Sequence, residues 1–163
     1  MSKPASILDA KLTYLYRRTG GSTVKLGLDT TQALLRELQV DPLRLPCVHV
    51  AGTNGKGSVS AMLESALRAA GLRTALYTSP HLIRFNERIR VAGRPVPDPD
   101  LIRLLDNVER ADQAQAAQPG GRQGTFFELT TAVAFQWFLE QGVQLAVLET
   151  GMGGRLDSTN VVT

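Results

Sequence analysis

The residues best suited to chemistry in this 163-residue chain are a lysine among glycines and a carboxylate closing an apolar run. In Val48-His49-Val50-Ala51-Gly52-Thr53-Asn54-Gly55-Lys56-Gly57-Ser58, a short apolar stretch gives way to Gly52, Gly55 and Gly57 around Lys56. Glycine lets the backbone fold back so that successive N–H groups face one anion. The N-terminus of a following helix adds partial positive charge, and Lys56 adds a full one. A triphosphate suits such a site, and Ser58 supplies a hydroxyl able to bind Mg²⁺. The spacing is a variant of the standard phosphate loop, because only Thr53 and Asn54 separate Gly52 from Gly55 and Gly57 intervenes before Ser58. Farther along, Gln144-Leu145-Ala146-Val147-Leu148-Glu149 ends in an acid. On a chain with a phosphate loop, a strand-end acid is the usual second ligand on the Mg²⁺ side. The plain alternatives are a Gly-rich turn before a helix and a strand-end acid facing solvent.

These groups need a scaffold, and the pattern of apolar residues predicts one. The run Val48–Val50, the loop and the helix-compatible stretch from Val59 read as strand, phosphate loop, helix. Thr74–Thr78 reads as a second buried strand, giving a parallel β-α-β unit, and Gln144–Glu149 as a third parallel strand. Ser79-Pro80 then falls at a strand's carboxyl end, where open α/β sheets bind ligands. In the helix after the loop, Ser60, Glu64 and Arg68 recur every four residues and are expected to meet water, with Val59, Met62, Leu63, Ala66 and Leu67 turned to the core. Earlier helices are expected over Ser6–Arg18 and, capped by Asp29 or Thr30, up to Asp41-Pro42.

Arg84–Val91 alternates and is charged, and Gly93–Pro97 forms a turn, so a small exposed hairpin or ordered loop is expected. Asp98 is placed to cap a helix whose core face is Leu101, Leu104, Leu105 and Val108. That helix loses its stripe over Ala111–Gln118 and runs into a mobile loop, Pro119–Gly124. Phe126–Gln141 is apolar nearly all round and reads as a buried helix. Val161-Val162-Thr163 has the look of a new strand. The fold class expected is α/β: a phosphate-loop-type, mostly parallel sheet flanked by helices.

Hydrophobic residues make up 43% of the chain, enough for a core, and the net charge of +3 is spread along it. No nucleic-acid partner is expected. One cysteine, Cys47, excludes an intramolecular disulfide. Without an apolar signal core or a bilayer-length stretch, the reading is cytoplasmic and not membrane-bound. His49, inside the first strand, fits a hydrogen-bonded core histidine, whereas His81 belongs to a candidate substrate loop. Arg84, Arg88, Arg90 and Arg94 suit either a carboxylate-rich ligand or a solvated loop.

Three blocks together resemble the Mur ligase superfamily, and within it the folylpolyglutamate synthase and dihydrofolate synthase branch: Ala51–Ser58; Tyr77-Thr78-Ser79-Pro80-His81-Leu82 with Asn86-Glu87-Arg88; and Leu148–Asn160. The resemblance implies an ATP-dependent ligase that joins L-glutamate to dihydropteroate, to tetrahydrofolate or to both through an acyl phosphate. It implies that Gly52, Thr53, Asn54, Gly55, Lys56, Gly57 and Ser58 bind ATP. Ser58, Ser79 and Glu149 would hold Mg²⁺, with Lys56 and Glu149 the catalytic pair. The pterin-bearing substrate would lie against Val24-Lys25-Leu26, Thr125-Phe126-Phe127-Glu128 and Leu156-Asp157-Ser158, with Asp157 its polar anchor.

On that resemblance residues 1–163 form the N-terminal portion of the ATP-binding, Mur ligase central domain. The rest of that domain and a C-terminal domain would be missing partners, and the chain alone is expected to have weak or no ligase activity. The competing readings are a Mur-type ligase acting on a nucleotide-linked peptide and a non-catalytic nucleotide-binding fragment.

Overall fold

A computed structural model describes residues 6–19 and 27–162. In chain order the elements are α1 (Ile7–Tyr16), α2 (Asp29–Glu37), β1 (Cys47–Val50), α3 (Lys56–Ala69), β2 (Thr74–Tyr77), β3 (Ile89–Val91), β4 (Arg94–Pro95), α4 (Asp98–Ala116), α5 (Phe126–Glu140) and β5 (Leu145–Glu149). Short 3₁₀ turns cover Arg17–Thr19, Pro42–Arg44, Phe85–Arg88 and Ser158–Val162.

The strands make one mixed sheet in the order β1-β5-β2-β3-β4. β5 pairs in parallel with β1 and with β2, so the last strand in sequence separates the two joined by α3. β3 then runs antiparallel to β2, and β4 antiparallel to β3. The mostly parallel α/β architecture expected from the pattern is present. The 84–97 segment, expected as a small exposed hairpin or an ordered loop, forms a hairpin that extends the main sheet rather than standing exposed. Ile89, Val91 and Val96 are buried, because the alternating residues between the arginines complete the core face beside β2.

The sheet's two faces differ. Ala75, Tyr77, Ala146, Leu148, Ile89 and Val91 join the core shared with α1, α2, α4 and α5. α5 lies in the middle of this layer, with Phe135 and Phe138 fully buried, each contributing about 1.5–3 kcal/mol. Its N-terminus is a reciprocal capping box: Thr125 accepts from the Glu128 amide and Glu128 accepts from the Thr125 amide.

α3 covers the opposite face, where Val48, Val147 and Leu76 stand side by side in register. Its orientation departs from the expected one, although Arg68 is exposed as expected. Ser60 and Glu64 are buried, whereas Val59 and Met62 are exposed. The reason is a polar partner on the sheet: Thr74 Oγ1 donates to Glu64 Oε1 at 2.5 Å, and Arg68 Nε donates to the same oxygen at 3.2 Å. A buried carboxylate is tolerated when so satisfied, and a helix read in isolation carries no sign of it.

Other helix ends also differ from expectation. α2 begins at Asp29 with Leu28 in the cap position, and α4 begins at Asp98 with Pro97 in that position. Asp98 is free to accept from Arg84 and from Asn86 Nδ2. Val161 and Val162 lie in a 3₁₀ turn packed on the core rather than in a strand.

α4 runs on to Ala116, past the point where its stripe fades, because its inner face becomes polar. Asp112 is wholly buried, and accepts from the Gly124 amide at 2.6 Å, from Gln115 Nε2 at 3.2 Å and from Arg18 Nη2 at 3.3 Å. The Gly-rich loop is thereby tied to the helix. Asp112→Ala leaves a buried amide and Arg18 without their acceptor and is expected to cost about 3 kcal/mol. Urea unfolding measures it, and a loss below about 1 kcal/mol would show that Asp112 does not hold the loop.

Candidate functional site

The loop between β1 and α3 is built around its helix start. Gly55 has φ +75° and takes the cap position of α3, a left-handed conformation that a residue with a side chain adopts at a cost. No side chain caps the helix. The first-turn amides of Lys56, Gly57 and Ser58 have no intrahelical acceptor and are available to an anion. Lys56 folds back over the loop, its Nζ donating to the Gly52 carbonyl at 2.9 Å. Thr53, Asn54 and Ser58 are exposed.

β5 brings the acid to this loop. Val50 and Glu149 are partners across β1 and β5, and the Thr150 amide donates to the Val50 carbonyl at 3.0 Å. Glu149 is only 5% exposed, and its carboxylate faces Gly57: a Cβ there would sit 3.6 Å from both oxygens. From the end of β2 the Ser79 amide donates to Glu149 Oε2 at 3.0 Å. The described residues give Glu149 no ion-pair partner. The carboxyl ends of three parallel strands thus gather Lys56, Ser58, Ser79 and Glu149, as expected for ligand sites in open α/β sheets. Among the described residues no group of three or more His, Cys, Asp or Glu side chains forms a self-sufficient metal site.

Beside these strand ends stands an aromatic wall. Phe126 and Phe127 open α5 and are half-buried. Phe126 stacks on Tyr16 at 5.4 Å, and Phe127 packs on Tyr77 at 5.9 Å. Gly151 permits the approach of Phe127, since a Cβ there would fall 2.5 Å from the ring. Thr125 and Glu128 are engaged with one another in the capping box, and Arg122 pairs with Glu128 at 2.8 Å. Val24, Lys25 and Leu26 lie outside the described residues.

Leu156 is exposed, while Asp157 and Ser158 are buried. Asp157 organises the loop after β5. Its Oδ2 accepts from the Gly151 and Met152 amides, and its Oδ1 accepts from the Thr159 amide and hydroxyl. Because the Thr159 proton goes to Asp157, His49 Nε2 donates to Thr159 Oγ1, at 2.6 Å. Burial holds the His49 pKa below the usual histidine value. The ring is hydrogen-bonded as expected but half-buried rather than in the core. The Asp157–Thr159–His49 chain is not legible in spacing, because 110 residues separate Thr159 from His49.

The segment between β2 and β3 is clasped by Glu87, which accepts from the amides of Leu82, Ile83 and Arg84 at 2.9, 3.2 and 2.9 Å. Those bonds, first from Leu82 and then from Arg84, hold its pKa below the ordinary glutamate value of 4.5. A depressed folded pKa means that the clasp is present above the unfolded pKa and is lost as pH falls through the folded one. Amide exchange at Leu82–Arg84, compared with that of neighbouring amides, is expected to accelerate across that acid window. Glu87→Gln should remove the transition, and an unchanged profile in the variant would show that another group is responsible.

A separate surface depression between α1 and α4 is lined by Lys11, Asp106, Glu109, Arg110 and Gln113. Lys11 pairs there with Asp106 at 2.5 Å and Glu109 at 2.8 Å, and these bonds raise its pKa. Its charges answer one another, and it lies on the helical layer rather than at the strand ends.

No family model matches the chain. It is 44% identical over 144 residues to dihydrofolate synthase/folylpolyglutamate synthase of Bacillus subtilis, covering 85% of this chain and 32% of that protein. The folylpolyglutamate synthase structure of Thermotoga maritima superposes with a TM-score of 0.85 at 40% identity, over 96% of this chain and 36% of the other. The chain is a homologue of the folylpolyglutamate and dihydrofolate synthases. Escherichia coli FolC, solved in complex with DHPP and ADP, also superposes, with a TM-score of 0.82 and 36% identity over 99% of this chain and 37% of FolC. The chain spans about a third of the length of the synthases it matches. Among its described residues no helix is long and apolar enough to cross a membrane.

Against this synthase background the described part of the predicted site divides. Gly52–Ser58, Ser79 and Glu149 converge at one end of the sheet, and Phe126 and Phe127 line the adjacent wall. Glu128 and Asp157 spend their carboxylates on the protein's own backbone and on Arg122. Sequence named Arg88 only as one of four arginines suited to a carboxylate-rich ligand or a solvated loop, and did not name Tyr16 at all. Both enter the aromatic cluster, and spacing does not reveal that they meet there because three separate elements contribute to it.

Proposed function

We propose that this chain is the nucleotide-binding part of an ATP-dependent ligase that forms an amide between L-glutamate and dihydropteroate, tetrahydrofolate or both. In this reading it is the N-terminal portion of the ATP-binding domain. The supporting observation is the convergence of an uncapped, glycine-started helix bearing Lys56 with the buried carboxylate of Glu149 in a homologue of the synthases.

A carboxylate is a poor electrophile. Phosphorylation by ATP converts it to an acyl phosphate, which the glutamate amine attacks with loss of phosphate. Charge develops on phosphoryl oxygens and then on a tetrahedral carbon. The Lys56 ammonium and the amides of Lys56, Gly57 and Ser58 are placed to hold that charge. Glu149 is buried, and among the described residues it has the Ser79 amide as hydrogen-bond donor and no cationic partner. That environment fits a divalent cation shared with phosphate oxygens, as Mg²⁺ is usually bound, through one or two carboxylates. Ser58, Ser79 and Glu149 would hold it, and the ion when bound would neutralise phosphoryl charge. Phe126 and Phe127 offer an apolar surface to a ring-bearing acceptor.

The test is ATP-dependent incorporation of radiolabelled glutamate, with dihydropteroate and tetrahydrofolate supplied separately, by this chain and by any longer natural form. The longer form is expected to use at least one acceptor, and the chain alone to turn over weakly or not at all. Turnover of neither acceptor by the longer form would refute the folate assignment, and a nucleotide-linked peptide would then be the acceptor to try. Binding of ATP and folate without turnover would favour a non-catalytic role.

A further inference from the structure

Among the described residues the buried charges are ion-paired or, in Asp157, answered by four hydrogen bonds from the protein itself, with two exceptions at the ligand end of the sheet. Glu64 has Arg68, Asp112 has Arg18 and Glu128 has Arg122. Glu149 has no ion-pair partner among the described residues, for which the ligase reading accounts. Arg88 is the other exception. It is 7% exposed, and none of the ion pairs among the described residues includes it. Its neighbours in sequence are already engaged: Arg84 grips both oxygens of Asp98 at 2.8 Å, and Arg90 Nε donates to the Glu87 carbonyl at 3.1 Å.

What surrounds Arg88 orients its guanidinium without neutralising it. Nε donates to His81 Nδ1 at 2.8 Å, so that nitrogen carries no proton and contributes no anion. The guanidinium carbon lies 5.2 Å from the Phe126 centroid and 5.7 Å from that of Phe85. Two rings at this range attract a cation, each by about 0.5–2 kcal/mol, less than the several kcal/mol lost in burying an unpaired ion. The circle closes through Tyr16, stacked on Phe126 and with its hydroxyl 3.5 Å from His81 Nε2. With Nε committed, the two Nη groups remain as a planar fork with no acceptor among the described residues, a geometry matched to a carboxylate.

We infer that Arg88 is a receptor for the carboxylate of an aromatic acid, held beside the Tyr16–Phe126 wall by the unpaired Nη fork that His81 orients. This rests on the ligase reading, and it deepens that reading by assigning the anionic group of the acceptor to one residue. Phosphate has the same charge and similar oxygen spacing, so the experiment must separate an acceptor carboxylate from nucleotide phosphate.

Calorimetric titration of the full chain with ATP, with dihydropteroate and with the analogue whose carboxylate is a carboxamide makes that separation. The wild-type chain is expected to prefer dihydropteroate over the carboxamide by at least about tenfold, the effect of one charge-assisted contact. Arg88→Gln should abolish the preference while leaving ATP affinity unchanged. Arg88→Lys, which keeps the charge at a buried position but loses the fork, should retain an intermediate preference. A preference that persists in Arg88→Gln, or equal binding of acid and amide by the wild type, would overturn the assignment with the folate reading intact. Loss of ATP affinity in Arg88→Gln would assign the fork to phosphate and overturn it too. A wild-type chain that binds ATP but neither pteridine would refute the folate reading itself, and the Arg88 assignment with it. If Arg88→Gln does not fold, the acid-to-amide ratio of the wild type and of Arg88→Lys still decides.

Discussion

Lys56→Ala is expected to weaken ATP binding to this chain by about 10- to 100-fold, the 1.5–3 kcal/mol of a hydrogen bond to a charged group. The ammonium is held over the loop by its bond to the Gly52 carbonyl. Little side-chain entropy therefore remains to be lost when it meets a phosphate. The substitution should not disturb the fold. Lys56 is the first residue of α3, alanine suits a helix, and the bond removed is exposed, so stability should change by less than about 1 kcal/mol. Calorimetric titration with ATP, paired with a thermal melt of each protein, measures both effects. An affinity within twofold of wild type would mean that the helix amides alone carry the binding and that Lys56 is not a phosphate contact.

The second large effect is expected at Glu149, and its sign depends on the cation. In metal-free buffer the carboxylate repels the triphosphate, so Glu149→Gln should bind ATP as well as the wild type or a few-fold better. With Mg²⁺ present the order should reverse. The wild type gains affinity from a cation shared by Glu149 and the phosphates, whereas the glutamine variant should lose at least about tenfold of that gain, roughly 1.4 kcal/mol. Glutamine can still accept from the Ser79 amide, which separates the charge effect from a structural one. Equal Mg²⁺ responses in the two proteins would remove Glu149 from the metal site and leave it a buried strand-end acid.

Both effects depend on residues that the chain itself marks. The alternation of a β-branched run, a Gly-rich loop and a helix-forming stretch is local, and it determined β1, the loop and the start of α3 from sequence alone. The same holds for the buried strands Thr74–Tyr77 and Leu145–Glu149, for the buried helix α5, and for placing Ser79 and Glu149 at strand ends. Such features arise from backbone preferences and apolar spacing within a dozen residues.

What required the tertiary structure is whatever depends on partners distant in sequence. β5 could take its place between β1 and β2 only once the hydrophobic strands had paired, since strand order has no local signature. α3 turned Ser60 and Glu64 inward because Thr74 waits on β2 to bond Glu64, and α4 extended past its apolar stripe because Gly124 and Arg18 satisfy Asp112. The hairpin at 89–95 joined the sheet because the residues between its arginines fill the core edge of β2. Arg88 illustrates the same limit at the site. Among four arginines of identical chemistry, sequence could not tell which would be solvated, and the fold singled out the one that packs on Phe85 and Phe126 with no ion pair among the described residues. Local spacing specifies elements and the ends that carry chemistry, whereas burial and pairing of charge are properties of the assembled chain.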